Sequence, residues 1–159
     1  MKLHGTSHID SKGHLNIGGV NTVDLVKRFG TPLFVYDVAL IRQKTNELKK
    51  AFNDLDVKYE IAYASKAFSC IAIVQLMHEE GLSLDVVSGG ELYTALAAGF
   101  PAERIHFNGN NKSLAEIEMA VEAGIGCFVV DNFYELSLIE RVAKKYNTIV
   151  SVLIRTTPG

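Results

Sequence analysis

The sequence contains no long apolar run, no strong excess of charge and only two cysteines, and each absence narrows the possible classes of protein. No stretch reaches the roughly 18 to 20 apolar residues that a membrane-spanning helix requires. The first residues, MKLHGTSHIDSKGHLNIGG, lack the apolar core of a secretory signal. We therefore expect a cytoplasmic protein without a membrane segment.

The net charge of −2 gives the chain no basic surface of the kind that nucleic acids or anionic membranes attract. Cys70 and Cys127 have no second Cys or His at metal-ligand spacing, and free thiols in a reducing compartment are favoured over a disulfide. We expect no metal site, no nucleic-acid or membrane partner, and a small molecule as the partner.

What the sequence does contain is a regular alternation of strand-like and helix-like segments, with 48% hydrophobic residues to build a core. The strand centres fall near residues 61, 86, 107, 129 and 152, which are 21 to 25 residues apart. A helical pattern fills each gap, and another precedes the first strand, with its apolar stripe at Ile41, Thr45, Leu48, Phe52 and Leu55. This alternation predicts an α/β protein with a parallel sheet.

Two architectures fit the alternation, an open doubly wound sheet and a (β/α)₈ barrel. The even repeat and the lack of a Gly-x-Gly-x-x-Gly motif after any strand favour the barrel. The strands read as continuous apolar runs, which suits strands covered on both faces. A complete barrel takes roughly 250 residues, so we expect a partial barrel made of the first five βα units of a larger protein.

The predicted domain organisation has two parts. Residues 1–30 are a polar leader with one short helical pattern, and residues 31–159 are an incomplete barrel that begins with a short strand at 33–37. We expect the leader to pack against a C-terminal β-domain that lies outside this sequence.

Polar residues collect at the carboxyl ends of the predicted strands, where parallel α/β folds place their chemistry. They are Lys66, Ser88, Glu91, Asn108, Asp131 and Arg155, with Asp85 and His106 inside the strands. Each has an ordinary alternative: a surface lysine, a turn aspartate, a satisfied core histidine or an arginine paired with a carboxylate. Together they predict a polar site at one rim of the sheet.

Lys66 is the most informative member of this set, because the apolar run YEIAYA leads directly into it and predicts a buried amine. A desolvated lysine has a lowered pKa and reacts as a nucleophile with carbonyl carbon. The carbonyl can belong to a substrate, as in an aldolase, or to pyridoxal phosphate. The residues alone leave both alternatives open.

Four motifs, YASKAF, LDVVSGGEL, HFNGNNKS and VVDNFYEL, resemble in this order the N-terminal half of the pyridoxal-phosphate-dependent barrel decarboxylases, which have alanine racemase-like barrels. The segments GHLNIGGV and FGTPLFVYD are similar to the same family. The resemblance covers the whole chain and is strongest to the branch that decarboxylates meso-2,6-diaminopimelate to L-lysine. It implies pyridoxal 5'-phosphate as cofactor and a cytoplasmic homodimer with shared active sites.

The resemblance also implies roles for individual residues. Lys66 matches the lysine that holds the cofactor covalently and is the catalytic residue. Four further residues match cofactor-site positions: Asp85, His106, Asn108 and Arg155. Ser88 and Glu91 match the rim of the substrate site. Arg155 opens the run RTTPG, in which Thr157 replaces the asparagine that is usual in the family.

The expected function is therefore a step of lysine biosynthesis that this chain alone does not perform, because later barrel strands, a phosphate-binding glycine-rich loop and a C-terminal β-domain are implied beyond residue 159. Alternatives are a non-catalytic pyridoxal-phosphate-binding or regulatory protein on the same barrel, another basic amino-acid decarboxylase of this fold, and a Schiff-base aldolase.

Overall fold

The computed structural model describes residues 3–158, which divide into two compact units with their boundary between residues 59 and 60. The predicted boundary between a leader and a barrel at residue 30 stays a prediction.

The first unit begins with a small antiparallel sheet that the sequence analysis did not predict. Its strands are β1 (His8–Ile9), β2 (Leu15–Ile17) and β3 (Val20–Asn21), in the order β1-β2-β3. Asp10 stabilises the turn between β1 and β2, because its carboxylate accepts hydrogen bonds from the backbone N–H groups of Lys12 and His14. The His14 bond is the main cause of a lowered Asp10 pKa.

Two helices complete the first unit, α1 (Thr22–Phe29) and α2 (Val38–Asn53). The predicted helix after residue 38 is confirmed, although of its apolar stripe only Thr45 is buried and Leu55 lies beyond the helix end. The predicted strand at 33–37 is wrong. This segment pairs with no strand among residues 3–158, and Phe34 is 92% exposed. An apolar run of this kind becomes a strand only beside a hydrogen-bonding neighbour.

The second unit is a five-stranded parallel sheet in the order β4-β5-β6-β7-β8, which confirms the predicted α/β class with parallel strands. The strands are β4 (Ala62–Ala64), β5 (Ser83–Val86), β6 (Ile105–Phe107), β7 (Cys127–Val130) and β8 (Val152–Ile154). The helices between them are α3 (Ile71–Glu79), α4 (Gly89–Ala97), α5 (Leu114–Ala123) and α6 (Phe133–Lys145). Short 3-10 turns lie at Ser65–Ala67 and Ala102–Arg104.

The strand order advances by one position at each crossover, and parallel crossovers are almost always right-handed. All four helices therefore cover the same face of the sheet, as in a barrel wall. This face carries the side chains of Leu84, Val86, Ile105, Phe107 and Phe128, which are fully buried. Buried apolar side chains from every helix, such as Val74, Leu92, Ile117 and Ile139, complete the core.

The opposite face of the sheet, here called the inner face, carries the polar residues Asp85 and His106. Register pairs Ala64 with Asp85, Asp85 with His106, and His106 with Cys127, so these side chains form one row across four strands. The expectation of continuous apolar strands holds for β7 (CFVV) and β8 (VLI). In β5 and β6, by contrast, Ser83, Asp85 and His106 alternate with apolar residues. Such alternation leaves one face for packing and the other for chemistry.

Three helices begin with the same local device. Ser88, Ser113 and Asn132 are N-caps that accept a hydrogen bond from the backbone N–H of a glutamate three residues later, which is Glu91, Glu116 or Glu135. Side-chain oxygens at this position satisfy backbone donors that the helix leaves open. These caps fix the position at which each strand end turns into the next helix.

No helix within residues 3–158 is both long enough and apolar enough to cross a membrane.

Candidate functional site

The carboxyl ends of the parallel strands bring the predicted site residues to one rim. Asn108 and Arg155 each lie one residue past a strand, and their N–H groups bond the carbonyls of Val86 and Val130 at 2.8 and 2.9 Å. Asp131 follows β7 directly and lies opposite Arg155 in register, since Val130 pairs with Ile154. The sheet ladder itself therefore sets the spacing of the rim.

Lys66 lies at this rim, on the 3-10 turn that follows β4. The expectation of a buried amine is wrong, because Lys66 is exposed. The reason is that β4 is an edge strand of the sheet, and its outer side has no neighbour among the residues that the structure describes. Within this same range no hydrogen bond or ion pair engages the Lys66 amine.

Arg155 is the centre of a polar network at the rim. Its Nη1 lies 3.1 Å from Oδ1 of Asp131, and its Nη2 donates to Oδ1 of Asn108. The amide nitrogen of Asn108 in turn lies 3.5 Å from Oδ2 of Asp85, a long contact. The network connects the ends of β5, β6, β7 and β8, and it leaves the guanidinium about half exposed.

His106 lies deeper on the inner face. Its Nε2 is 3.2 Å from Oε1 of Glu60, which also accepts a hydrogen bond from the Ser83 hydroxyl. Glu60 therefore engages His106 from the amino end of the sheet, away from the strand ends. The sequence analysis did not single out this carboxylate.

Cys127 adjoins His106 on this face and is a buried free thiol, and Cys70 is a half-buried free thiol, as predicted. Burial is the main cause of a raised Cys127 pKa, and the negative charges of Glu60 and Asp85 raise it further.

Ser88 and Glu91, predicted at the substrate rim, both lie at the start of α4 and already have partners. The Ser88 hydroxyl caps the helix, and the Glu91 carboxylate accepts the N–H of Val87 at 3.0 Å. Their side chains support the turn after β5.

Glu116 supports the same turn from the next helix. Its Oε1 accepts the N–H of Gly89 at 2.7 Å, and its Oε2 accepts the N–H of Ser113 at 2.8 Å. Gly89 allows this approach, since a Cβ there would lie 2.9 Å from the Glu116 side chain. Burial opposes ionisation of Glu116, yet these hydrogen bonds leave its pKa below the ordinary 4.5.

A buried ion pair escaped the sequence analysis. Lys112 Nζ lies 2.6 Å from Oε1 of Glu135, and the two side chains are 1% and 5% exposed. The motif HFNGNNKS contains Lys112, but it gives no sign that the partner lies 23 positions further on. Of the two lysines near strand ends, Lys112 has its amine fully engaged and Lys66 does not.

Two further features bear on what the rim can hold. Residues 3–158 contain no cluster of three or more His, Cys, Asp or Glu side chains placed to bind a metal ion. A shallow cleft opens beside the Arg155 network, between β7, β8 and the start of α6. Its lining residues are Val130, Asp131, Asn132, Phe133, Leu136, Ile154 and Arg155.

Comparison with known proteins decides which family has this arrangement. Residues 38–159 match the model of the pyridoxal-dependent decarboxylases, over the pyridoxal-binding domain. The chain belongs to the pyridoxal-dependent decarboxylase family. The cofactor of this domain is pyridoxal phosphate, as the sequence analysis expected.

Individual relatives agree with the family. The chain is 65% identical to diaminopimelate decarboxylase of Halalkalibacterium halodurans over all 159 residues, which are 36% of that protein. A crystal structure of diaminopimelate decarboxylase from M. jannaschi matches 96% of the chain with a TM-score of 0.90 and 38% identity, and the match covers 36% of that structure. A lysine/ornithine decarboxylase from Vibrio vulnificus matches 84% of the chain and 35% of its own, with a TM-score of 0.70 and 31% identity. These neighbours confirm the predicted partial barrel.

The residues at the rim fit pyridoxal phosphate. Lys66 offers an exposed, uncommitted amine for the aldehyde. The hydroxyls of Ser65 and Ser69, on either side of it in sequence, are buried without a hydrogen-bond partner among the described residues. Arg155 and Asn108 add donors beside a ligand with several oxygen atoms.

Experiments on this chain are best made in a complete barrel. We define the hybrid enzyme as the Halalkalibacterium halodurans decarboxylase in which this chain replaces the matching segment, which is 65% identical. The Halalkalibacterium halodurans decarboxylase supplies the later barrel strands and the rest of the hybrid enzyme.

In the hybrid enzyme we expect Glu116→Ala to lower the free energy of unfolding by about 1–2 kcal/mol, because the Gly89 and Ser113 N–H groups lose their acceptor. Since folding lowers the Glu116 pKa, its contribution is complete above pH 4.5 and disappears as the pH falls through the lowered value. Urea unfolding of both proteins at several pH values measures the difference. Glu122→Ala, on the exposed side of α5, is the control, and an equal loss there contradicts the prediction.

We expect the pH-rate profile for alkylation of Cys127 to have its midpoint above the ordinary thiol value of 9.0. Glu60→Gln removes one of the charges that raise the Cys127 pKa, so it lowers the midpoint. Mass spectrometry of the Cys127 peptide from the hybrid enzyme follows the reaction. A midpoint that Glu60→Gln leaves unchanged contradicts the assignment, and Glu122→Gln serves as the distant control.

Proposed function

We propose that this chain is the cofactor-binding portion of a decarboxylase that removes CO₂ from the D-configured carbon of meso-2,6-diaminopimelate and yields L-lysine. The main support is the uncommitted Lys66 amine at a rim shared with Asp85, Asn108 and Arg155. Identity of 65% to a diaminopimelate decarboxylase supports the substrate. The chain spans about a third of the length of that relative, so the remaining machinery comes from elsewhere.

Lys66 is the residue that would hold pyridoxal phosphate, through its Nζ. It can do so because its amine makes no hydrogen bond or ion pair within residues 3–158 and the residue is exposed. Once bound, the cofactor supplies an electron sink for the carbanion that loss of CO₂ creates. Lys66 would hold the cofactor at the rim between turnovers.

The other residues would position the cofactor and balance its charge. Arg155 is held by Asn108 and Asp131, so its free N–H groups point in a fixed direction at an anionic or oxygen-rich ligand. Asp85, half-buried on the inner face, would place a negative charge close to the cofactor. His106, held by Glu60, would be a further residue of the cofactor site.

Ser88 and Glu91 would shape the substrate rim through the turn that they stabilise, since both side chains already bond backbone groups. We further propose that the complete enzyme is a cytoplasmic homodimer with shared sites, which is what the resemblance of the sequence motifs to the family implies.

Another basic amino acid is the second candidate substrate, supported by the likeness to the Vibrio vulnificus lysine/ornithine decarboxylase. Its 31% identity is far below the 65% of the diaminopimelate decarboxylase, so the latter substrate is favoured. A non-catalytic pyridoxal-binding protein would hold the cofactor on the same amine, so turnover is the property that separates it from a decarboxylase.

We expect the hybrid enzyme to release CO₂ from meso-diaminopimelate, and Lys66→Ala to abolish both this activity and the visible absorbance of bound cofactor, because no other amine replaces Nζ at the rim. Absorbance spectra and CO₂ release are measured with Lys58→Ala, an exposed lysine before β4, as the control. Full activity in Lys66→Ala would contradict the assignment. Preference for lysine or ornithine would favour the second candidate, and binding without turnover would favour a non-catalytic protein.

We expect the 159-residue chain without the rest of a barrel to release no CO₂ from meso-diaminopimelate at any cofactor concentration. The edge strands β4 and β8 have one free side each within the described range, and Ile154 is 67% exposed. The hybrid enzyme at equal concentration is the positive control. Measurable CO₂ release from the isolated chain would show that its own residues suffice.

A further inference from the structure

The buried ion pair between Lys112 and Glu135 has no place in the proposed reaction. Glu135 nevertheless contacts Asp131 directly, and Lys112 contacts Gly109, which is hydrogen-bonded to the Asn108 side chain. The pair is almost fully removed from solvent, with side chains 1% and 5% exposed. Buried ion pairs contribute little net stability on average, because desolvation of the charges offsets their attraction. Stability alone is therefore a weak reason for this pair.

Lys112 closes the loop that carries Asn108. Its Nζ donates to the carbonyl oxygens of Gly109 and Val129, both at 2.8 Å, and so ties the loop to β7. The N–H of Gly109 donates to Oδ1 of Asn108 at 2.9 Å, which orients that side chain. Gly109 has φ of +109°, and a Cβ there would lie 3.2 Å from the carbonyl oxygen of Val87, so the loop depends on glycine.

Glu135 holds the second support. Its Oε1 pairs with Lys112, and its Oε2 accepts the N–H of Asp131 at 2.9 Å. Asn108 and Asp131 are the two acceptors of the Arg155 guanidinium. One buried pair is thus linked to Asp131 directly, through Glu135, and to Asn108 indirectly, through Gly109.

We infer that Lys112 and Glu135 are positioning residues that fix the Arg155 guanidinium toward the cofactor. Both side chains are almost fully buried, so they would act through Asn108, Asp131 and the loop 108–112. This inference rests on the proposed function for its ligand, and on the hydrogen bonds of the described residues for its geometry.

The test is a double-mutant cycle in the hybrid enzyme. Lys112→Met with Glu135→Leu removes both charges together, so no buried charge is left without its partner. We expect the dissociation constant for pyridoxal 5'-phosphate, from absorbance titration of the cofactor-free enzyme, to rise by about tenfold. Coupling of this size is common between residues of one hydrogen-bond network. Arg155→Ala alone raises it by a similar factor, and Arg155→Ala adds little in the double variant.

The control is the exposed pair between α5 and α6, in which Lys145 lies 2.8 Å from Glu118. Lys145→Met with Glu118→Leu leaves the dissociation constant unchanged. Fully additive effects of Arg155→Ala and the Lys112/Glu135 double variant would overturn the inference, as would a change below about twofold in the double variant. If the double variant fails to fold, Lys112→Arg is used in its place. It retains the positive charge but not the three hydrogen bonds to Gly109, Val129 and Glu135, and it is combined with Arg155→Ala in the same cycle.

Hydrogen exchange of the cofactor-free hybrid enzyme separates this inference from the proposed function. We expect faster exchange in the double variant for residues 108–112 and for the Asp131 N–H, but not for α3. Unchanged exchange there overturns the positioning role, whatever the enzyme binds. A hybrid that binds no cofactor, yet shows the faster exchange, contradicts the proposed function while supporting the positioning of the rim.

Discussion

The parallel register of β4 to β8 is the constraint on which the site depends. Each strand pairs only with the next in sequence, so every strand end reaches the same edge of the sheet. Lys66, Asn108, Asp131 and Arg155 come from strands spread over about ninety positions, and the ladder brings them to one rim. Because the helices bury the other face, the inner face is free to carry polar groups such as Asp85 and His106.

The segments between strands and helices repeat one hydrogen-bonding arrangement. A strand ends, an N-cap residue begins the next helix, and a glutamate three residues later accepts a backbone N–H before or at the cap. Glu91, Glu116 and Glu135 all do so. In the third case the carboxylate has also acquired a buried partner, Lys112, and through it a connection to the neighbouring loop. Glu135 therefore stabilises the start of α6 and also supports Arg155 through Asp131 and Lys112.

The sequence predicted the elements that depend on local patterns and mispredicted those that depend on distant neighbours. The helices and the parallel strands follow from apolar spacing and caps, so their order was correct. The run at 33–37 has strand composition, but no strand lies beside it in residues 3–158. The strands of the first unit are two or three residues long, too short for any periodicity to show.

The features of the site fall into the same two groups, those set by local sequence and those set by distant neighbours. Its rim residues were predictable because they follow strands, and the family motif marked Lys66 before any geometry was known. Burial of Lys66 was not predictable, since exposure depends on what lies beside the edge strand β4. The Lys112–Glu135 pair was missed because charged residues 23 positions apart give no sign in sequence that they meet in a core.

The central claim is that the Lys66 amine is the covalent anchor of the cofactor. It is tested most directly by treating the cofactor-loaded hybrid enzyme with borohydride and locating the reduced pyridoxyl group by peptide mass spectrometry. The account predicts one labelled lysine, at position 66, with Lys112 unlabelled because its amine is buried in an ion pair. Label on Lys112 or on another lysine, with Lys66 unmodified, would contradict it.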